Sequence, residues 1–557
     1  MDDLPLKAPI TTIHFMTEPV TDDSCAPHPA PELSRQQNPP GSQDPSAAER
    51  FWLPIGLVAL FTAAAAYLRF KSLGLRSLWH DEFATWHVSQ LPLIKSLYWQ
   101  PELTKPPLYQ FMLRLLTSDP RPSEWLLRLP AAVAGTLVVP VSAWCCFVFD
   151  RKHCAAAVAL LLACHPLHIE YAQEARPYTL LLLGTTLSTA FWYLFVAKPS
   201  VARGVAYLCT ATLTFHSHYL TMLMFAAHGA WLLFVVAFRG FNQPRIAEKD
   251  VPVVDRNAVN RAGEGRFRAG LLLLGLTGVC CVPMTIHYLF NRESNFQGLD
   301  WIDPPTVAAT WHTLVELGVG SQWMLFAVIP SVILAAVSGV PGLSVPAKLR
   351  PERASGIWLL AWWFAFAWGG LLMLSLLGRP ALVVRYALPA SIPIILFPLF
   401  MSDRIHRHLP LTVAIVMALA TAEVWVFRAT EYKPGIREMA AFLRSDARRE
   451  SEVVVLTIDN TTYPNWEDME RAIFQYYRLG SVPYAELHLA DDGVTAKNDI
   501  LEDPRGMLLV IGWADPFAIL HKAGRTAVSI VVDGESYQQL SFDPYRLVRV
   551  APIHESR

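Results

Sequence analysis

Long uncharged apolar runs separated by short polar or basic loops dominate the chain between residues 51 and 427. Spanning a hydrocarbon core takes roughly 20 apolar residues. Runs at 51–70, 127–149, 154–169, 177–197, 204–217, 219–238, 269–290, 323–340, 356–377, 381–400 and 410–427 therefore predict about eleven transmembrane helices, several of them short. The pattern changes at both ends. Residues 1–49 mix Pro, Ser, Gln, Asp and Glu without an apolar run, as expected of a disordered cytoplasmic tail. They lack the basic start and apolar core of a signal peptide, so 51–70 reads as an uncleaved first span. Beyond residue 428, β-branched runs at 452–458, 507–513, 527–532 and 545–550 alternate with amphipathic stretches at 435–449 and 467–479, a small α/β domain over 429–557. The expected fold is an all-α polytopic membrane bundle over 50–428 carrying that domain.

Composition agrees, with 53% hydrophobic and only 17% charged residues, against roughly 25% charged in an ordinary soluble domain. A formal net charge of −1 gives no basic excess, so nucleic acid is not an expected partner. The local distribution of charge is more informative. Arg151 with Lys152, Lys198 with Arg203, the Arg-rich 239–268, Lys348 with Arg350, and Arg404 with Arg407 alternate onto one side, which the positive-inside rule makes cytoplasmic. Loop 71–126, turn 170–176, loop 291–322 and everything after 427 then face the other side, outside the cytoplasm. The cysteines fall in the apolar runs or the tail, and no pair is spaced as a CxxC metal or redox motif.

The sharpest local signal follows the first span: Leu78-Trp79-His80-Asp81-Glu82-Phe83 sets two adjacent carboxylates at the membrane surface. Carboxylates there are costly unless used, although an Asp-Glu pair can also simply cap an interfacial helix. A second cluster, Tyr171-Ala172-Gln173-Glu174-Ala175-Arg176-Pro177-Tyr178, opens a helix at Pro177, with a local Glu174–Arg176 ion pair as its plain alternative. Arg385-Tyr386 opens a late span, where an Arg can also snorkel to the headgroups. Lys105, Arg176 and Arg385 converge from three external segments upon the two carboxylates. Cations for a leaving phosphate and a carboxylate base for an acceptor hydroxyl are what transfer from a lipid phosphate requires.

These motifs, together with Lys105-Pro106-Pro107-Leu108-Tyr109, Trp301-Ile302-Asp303-Pro304-Pro305 and Arg385-Tyr386-Ala387-Leu388-Pro389, resemble those of GT-C membrane glycosyltransferases. The similarity is to the bacterial protein O-mannosyltransferase-like and aminoarabinose-transferase-like branch, and it covers about residues 50–430. The resemblance implies a polyprenyl-phosphate sugar donor and a lipid, polysaccharide or protein acceptor, in a bacterial inner membrane. It implies Asp81 as catalytic base and Glu82 as the neighbour that positions the acceptor or tunes Asp81. Lys105, Arg176 and Arg385 would hold the donor phosphate, while His80, Glu174, Tyr178, Trp301 and Tyr386 would line the substrate. No metal ligand set is assigned, though a divalent metal could draw on His80, His168, His216 or His218. A transporter or flippase of lipid-linked glycans is the alternative, and it would show ionisable residues well inside the helices. Here most clear charges sit at loop ends.

Overall fold

The computed structural model describes residues 45–92, 106–239, 256–290, 302–318, 351–378 and 380–405, a few positions up to 418, residues 435–444, and from 453 onward the strands together with 476–477 and 539. Lys105, Trp301, the runs at 323–340 and most of 410–427, and nearly all of the tail lie outside the described residues, as does the side chain of His80. Residues 51–557 form one compact unit and 1–50 another.

The helices are α1 (Pro45–Phe70), α2 (His80–Gln90), α3 (Leu108–Leu116), α4 (Glu124–Val148), α5 (Ala155–Cys164), α6 (Pro166–Ala172), α7 (Tyr178–Ala197), α8 (Val201–Phe215), α9 (Thr221–Arg239), α10 (Arg256–Phe290), α11 (Val307–Leu317), α12 (Pro351–Phe364), α13 (Leu371–Leu377), α14 (Val384–Ala387), α15 (Ser391–Ile405) and α16 (Ile436–Arg444). Among the described residues, Glu124–Val148, Tyr178–Ala197, Gly263–Phe290, Gly356–Leu377 and Val384–Met401 are long and apolar enough to cross a membrane, and Pro54–Phe70, Val201–Phe215 and Thr221–Val236 are shorter apolar helices. The chain is an integral membrane protein. Exposed Leu272, Leu276, Val279, Leu289 and Phe290 along α10 give it a lipid-facing surface.

The run at 154–169, expected as one span, is instead broken. Segments Lys152–Cys164 and Pro166–Ala172 meet at 59°. Pro166 has no N–H to continue the ladder and pushes the preceding His165 out of helical geometry, to φ −64° and ψ 119°. Carbonyls freed at the break would be costly in a membrane. Arg69, fully buried near the end of α1, donates to Leu162 O at 2.9 Å and Ala163 O at 3.2 Å and satisfies them. Close helix packing supports the rest of the bundle: a Cβ on Gly184 of α7 would lie 2.9 Å from Thr214 Cβ on α8. In the same core, buried His228 meets Thr189 Oγ1 and Tyr207 OH, each at 3.1 Å, and stacks on Trp192.

The C-terminal region is mixed α and β. Strands β1 (Val453–Ile458), β2 (Tyr484–His488), β3 (Met507–Ile511), β4 (Ala527–Val528), β5 (Ile530–Val532), β6 (Glu535–Tyr537), β7 (Leu540–Phe542) and β8 (Tyr545–Val550) follow α16. The main sheet runs β2-β1-β3-β8-β4, with β1 parallel to both β2 and β3 and with β8 antiparallel to β3, β4 and β7. The run read as one strand over 527–532 is divided, since β4 joins the main sheet and β5 pairs with β6.

Candidate active site

Helix α2 begins where Trp79 is extended (φ −100°, ψ 172°), and its first turn holds both carboxylates. They have different fates. Glu82 is fully buried and folds back to accept from Trp79 N–H at 3.2 Å, so the helix-capping work falls to Glu82 and not to Asp81. Its carboxylate also takes Arg128 Nε at 2.7 Å and Arg128 Nη2 at 2.6 Å, a bidentate pair, and Ala175 N–H at 2.7 Å. Arg128 in turn donates to the carbonyls of Leu73, Arg76 and Ser77 at 2.9 to 3.0 Å. One buried ion pair thus ties the turn after the first span to α4 and to the segment before α7.

Asp81 instead keeps a quarter of its side chain open, at 25% exposure. Its Oδ2 lies 3.3 Å from Arg385 Nη1 and 3.6 Å from Arg176 Nη2. Arg176 also donates from Nη1 to Asp81 O at 2.7 Å and to Thr85 Oγ1 at 2.9 Å, so its guanidinium is oriented by α2 rather than by the nearby Glu174. Arg385 lies beside the rings of Trp79 and Tyr386, 6.0 and 5.7 Å from their centroids.

Glu174 sits in the turn between α6 and α7, and its Oε2 is buried with no hydrogen-bond partner among the described residues. Burial, followed by the negative fields of Glu82, Glu170 and Asp81, raises its pKa well above the ordinary carboxyl range. A protonated carboxyl is then available to donate a hydrogen bond. Behind the arginines, Tyr178, Tyr386 and His218 form an aromatic cluster, with His218 5.7 Å from Tyr386 edge-on and 6.1 Å from Tyr178.

The structure therefore brings Asp81, Glu82, Glu174, Arg176, Tyr178, Arg385 and Tyr386 to one place from three separated stretches of sequence. Arg128 was missed by the sequence reading, although a lone guanidinium in the first turns of an apolar run is a signal in itself. Thr85 carried no such signal. No three His, Cys, Asp or Glu among the described residues are grouped to hold a metal. His168 Nε2 is engaged by Ser391 Oγ at 2.8 Å and His216 Nδ1 by Thr212 O at 2.8 Å, so these imidazoles serve the protein's own hydrogen bonds. Among the described residues no divalent-metal site is assembled.

Residues 104–247 match the family model for dolichyl-phosphate-mannose-protein mannosyltransferase, a stretch that includes Arg128, Glu174, Arg176, Tyr178 and His218. Among solved structures, ArnT from Cupriavidus metallidurans in the apo state is 15% identical, with 90% of this chain and 98% of that chain covered and a TM-score of 0.39. The same protein bound to undecaprenyl phosphate is 16% identical, with 89% and 98% covered and a TM-score of 0.32. The archaeal oligosaccharyltransferase AglB from Archaeoglobus fulgidus, in complex with an inhibitory peptide and a dolichol-phosphate, is 10% identical, with 88% and 74% covered and a TM-score of 0.49. No curated protein matches the chain. Over the segment that supplies half of the site, this integral membrane protein is similar to the dolichyl-phosphate-mannose-protein mannosyltransferase family.

Proposed function

We propose that the protein is a membrane glycosyltransferase that moves a sugar from a polyprenyl-phosphate donor to an acceptor hydroxyl on the extracytoplasmic side. The carrying observation is the carboxylate of Asp81, partly open and shared between the guanidiniums of Arg385 and Arg176. The family match over 104–247 supports a polyprenyl-phosphate donor. A donor phosphate competes with Asp81 for both guanidiniums, which suit it by charge and by forked geometry. Once they turn to the phosphate, the Asp81 carboxylate is released to take the proton of the acceptor hydroxyl as that oxygen attacks the anomeric carbon.

Atoms balance simply. The new bond joins acceptor oxygen to anomeric carbon, the carbon–phosphate oxygen bond breaks, and polyprenyl phosphate leaves with its added charge held by the arginines. Attack in line with the leaving oxygen inverts the anomeric configuration. It also requires Asp81 and Arg385 to part on donor binding, because base and phosphate then stand on opposite sides of the reacting carbon. Glu82 has no open face for substrate and acts by positioning its neighbour. A transport path would need open ionisable groups inside the bundle, whereas buried Arg69 and His228 are engaged by the protein's own carbonyls and hydroxyls.

Mass analysis of lipids and surface glycans from cells with and without the protein tests the reading. Loss of one sugar, with its polyprenyl-phosphate form accumulating, is the expected result. An unchanged glycan profile together with altered lipid-linked glycan transport would overturn it.

A further inference from the structure

His218 lies on the short turn between α8 and α9, outside both helices, and only 4% of it is exposed. Its ring packs against Tyr178 and Tyr386, which lie two residues after Arg176 and one after Arg385. The turn is fixed on both sides: Thr221 Oγ1 donates to His218 O at 2.7 Å, and one residue pair away Leu108 N–H donates to His216 O at 3.1 Å, tying the turn to the first external loop.

Hydrogen bonding decides the state of the imidazole. Leu220 N–H donates to Nδ1 at 3.2 Å, so Nδ1 carries a lone pair and the ring proton sits on Nε2. Burial, then the positive fields of Arg176 and Arg385, lower the pKa of the ring to about 3, and the second proton stays off. His218 is therefore a neutral donor whose Nε2 is buried without a hydrogen-bond partner among the described residues. A buried N–H of this kind costs free energy unless something accepts from it. The charges acting on the ring are both guanidiniums, so the group best suited to reach this corner is anionic. A neutral donor adds a hydrogen bond to that anion without adding a third positive charge to repel the first two.

We propose that His218 donates from Nε2 to the phosphate of the polyprenyl donor, beside Arg176 and Arg385, and so completes the phosphate subsite. This rests on the glycosyltransferase reading above. It assigns the contact to the phosphate and not to the sugar, so it applies equally to the sugar-free product.

The test is equilibrium binding of undecaprenyl phosphate to the purified full chain in detergent. His218→Ala is expected to weaken binding about tenfold, the scale of one charge-assisted hydrogen bond. His218→Gln, whose amide N–H reaches close to the Nε2 position, is expected to recover most of it. His218→Asn, whose amide reaches only to the Nδ1 position, is not. A merely structural role would move the thermal midpoint and treat the two amides alike. If His218→Ala does not fold, the Gln and Asn variants decide on their own. Arg385→Ala is the reference: loss of binding there with full binding in His218→Ala and His218→Asn overturns the assignment of His218 alone. Full binding in Arg385→Ala as well would mean that the site is not a phosphate site and that the wider reading fails with it.

Discussion

Glu82 and Arg128 meet through two bonds of 2.7 and 2.6 Å with almost no exposure on either side chain, one residue away from the open carboxylate of Asp81. The adjacent acids thus divide the labour, one building the turn and the other standing partly open beside Arg176 and Arg385. Breaking a buried pair by removing one partner strands the other charge, at a cost of about 3–5 kcal/mol. Glu82→Gln is expected to lower the thermal midpoint in detergent sharply, and Glu82→Gln with Arg128→Met to recover part of the loss. A Glu82→Gln protein that melts like the parent yet transfers no sugar would place Glu82 in the chemistry.

Asp81→Asn tests the base. The amide keeps shape and caps a helix about as well as Asp, but it cannot accept the proton. Because Glu82 already supplies the reach back to Trp79 N–H, the helix start should survive, and a melt in detergent checks what the loss of the Asp81 charge beside Arg176 and Arg385 costs. Transfer from a polyprenyl-phosphate sugar is expected to fall by roughly 10² to 10⁴, the usual contribution of a positioned acid–base group. Normal turnover by a well-folded Asp81→Asn protein would remove Asp81 from that role.

Glu174 makes a pH prediction. Its pKa is raised in the folded protein by burial and then by Glu82, Glu170 and Asp81, so the unfolded chain releases this proton at lower pH than the folded one does. Its contribution to stability is complete below the unfolded carboxyl range and is lost as pH rises toward and through the folded value. Glu174→Gln keeps a neutral donor of the same shape and removes the loss. Thermal midpoints of parent and variant should coincide near pH 4 and diverge as pH rises, with the variant higher. Parallel curves across the range would show that the pKa of Glu174 does not differ between the folded and unfolded states.

The basic loops predict which side each loop faces. Ser118, Ala441 and Lys152 are exposed. In a background without other cysteines, an impermeant thiol reagent applied to intact cells should mark Ser118→Cys and Ala441→Cys and leave Lys152→Cys unmarked. Marking of Lys152→Cys, or of only one of the other two, contradicts the topology.

The membrane helices were legible because apolar runs of spanning length have few other uses, and nine of the runs coincide with described helices. The break at His165 was signalled by Pro166, yet the run on both sides stays apolar and hides it. Strand β2 escaped because Tyr484-Ala485-Glu486-Leu487-His488, at the edge of the sheet, mixes polar and apolar residues instead of forming a β-branched run. In the site, charged residues beside spans stood out one by one. Their individual partners did not: the local Glu174–Arg176 pair stood open beside convergence on the two carboxylates, and Arg176 turns to Asp81, 95 residues away in the chain. Periodicity carries no information on such long-range partners, and Arg128 could be found only as an anomaly within its own helix.

The C-terminal segment packs directly on the turn that leads into Asp81, and that packing can be broken selectively. Ser77 Oγ donates to Glu438 Oε2 at 3.1 Å and accepts Arg437 N–H at 3.0 Å, while Gly435 N–H also donates to Glu438 Oε2 at 2.9 Å. Tyr477 OH accepts Leu78 N–H at 2.9 Å and donates to Glu124 Oε1 at 3.2 Å, and the rings of Tyr476 and Tyr477 each stand edge-on to Phe83 at 5.7 Å. A Cβ on Gly435 would lie 2.7 Å from Ser77 Oγ and 2.8 Å from Ser77 Cβ, so Gly435→Ala must displace either α16 or the chain just ahead of Asp81. Arg385 hangs from α14 and Arg176 only leans on α2, so donor affinity should fall less than turnover. Turnover should fall further, because a misplacement of about 1 Å in a reacting group can cost up to about 10² in rate. Tyr477→Phe, which removes both hydroxyl bonds without changing volume, should shift kcat in the same direction with less effect and should speed hydrogen exchange at the Leu78 amide. If both variants keep the parental kcat and Leu78 stays protected, the C-terminal segment has no part in holding Asp81 in place.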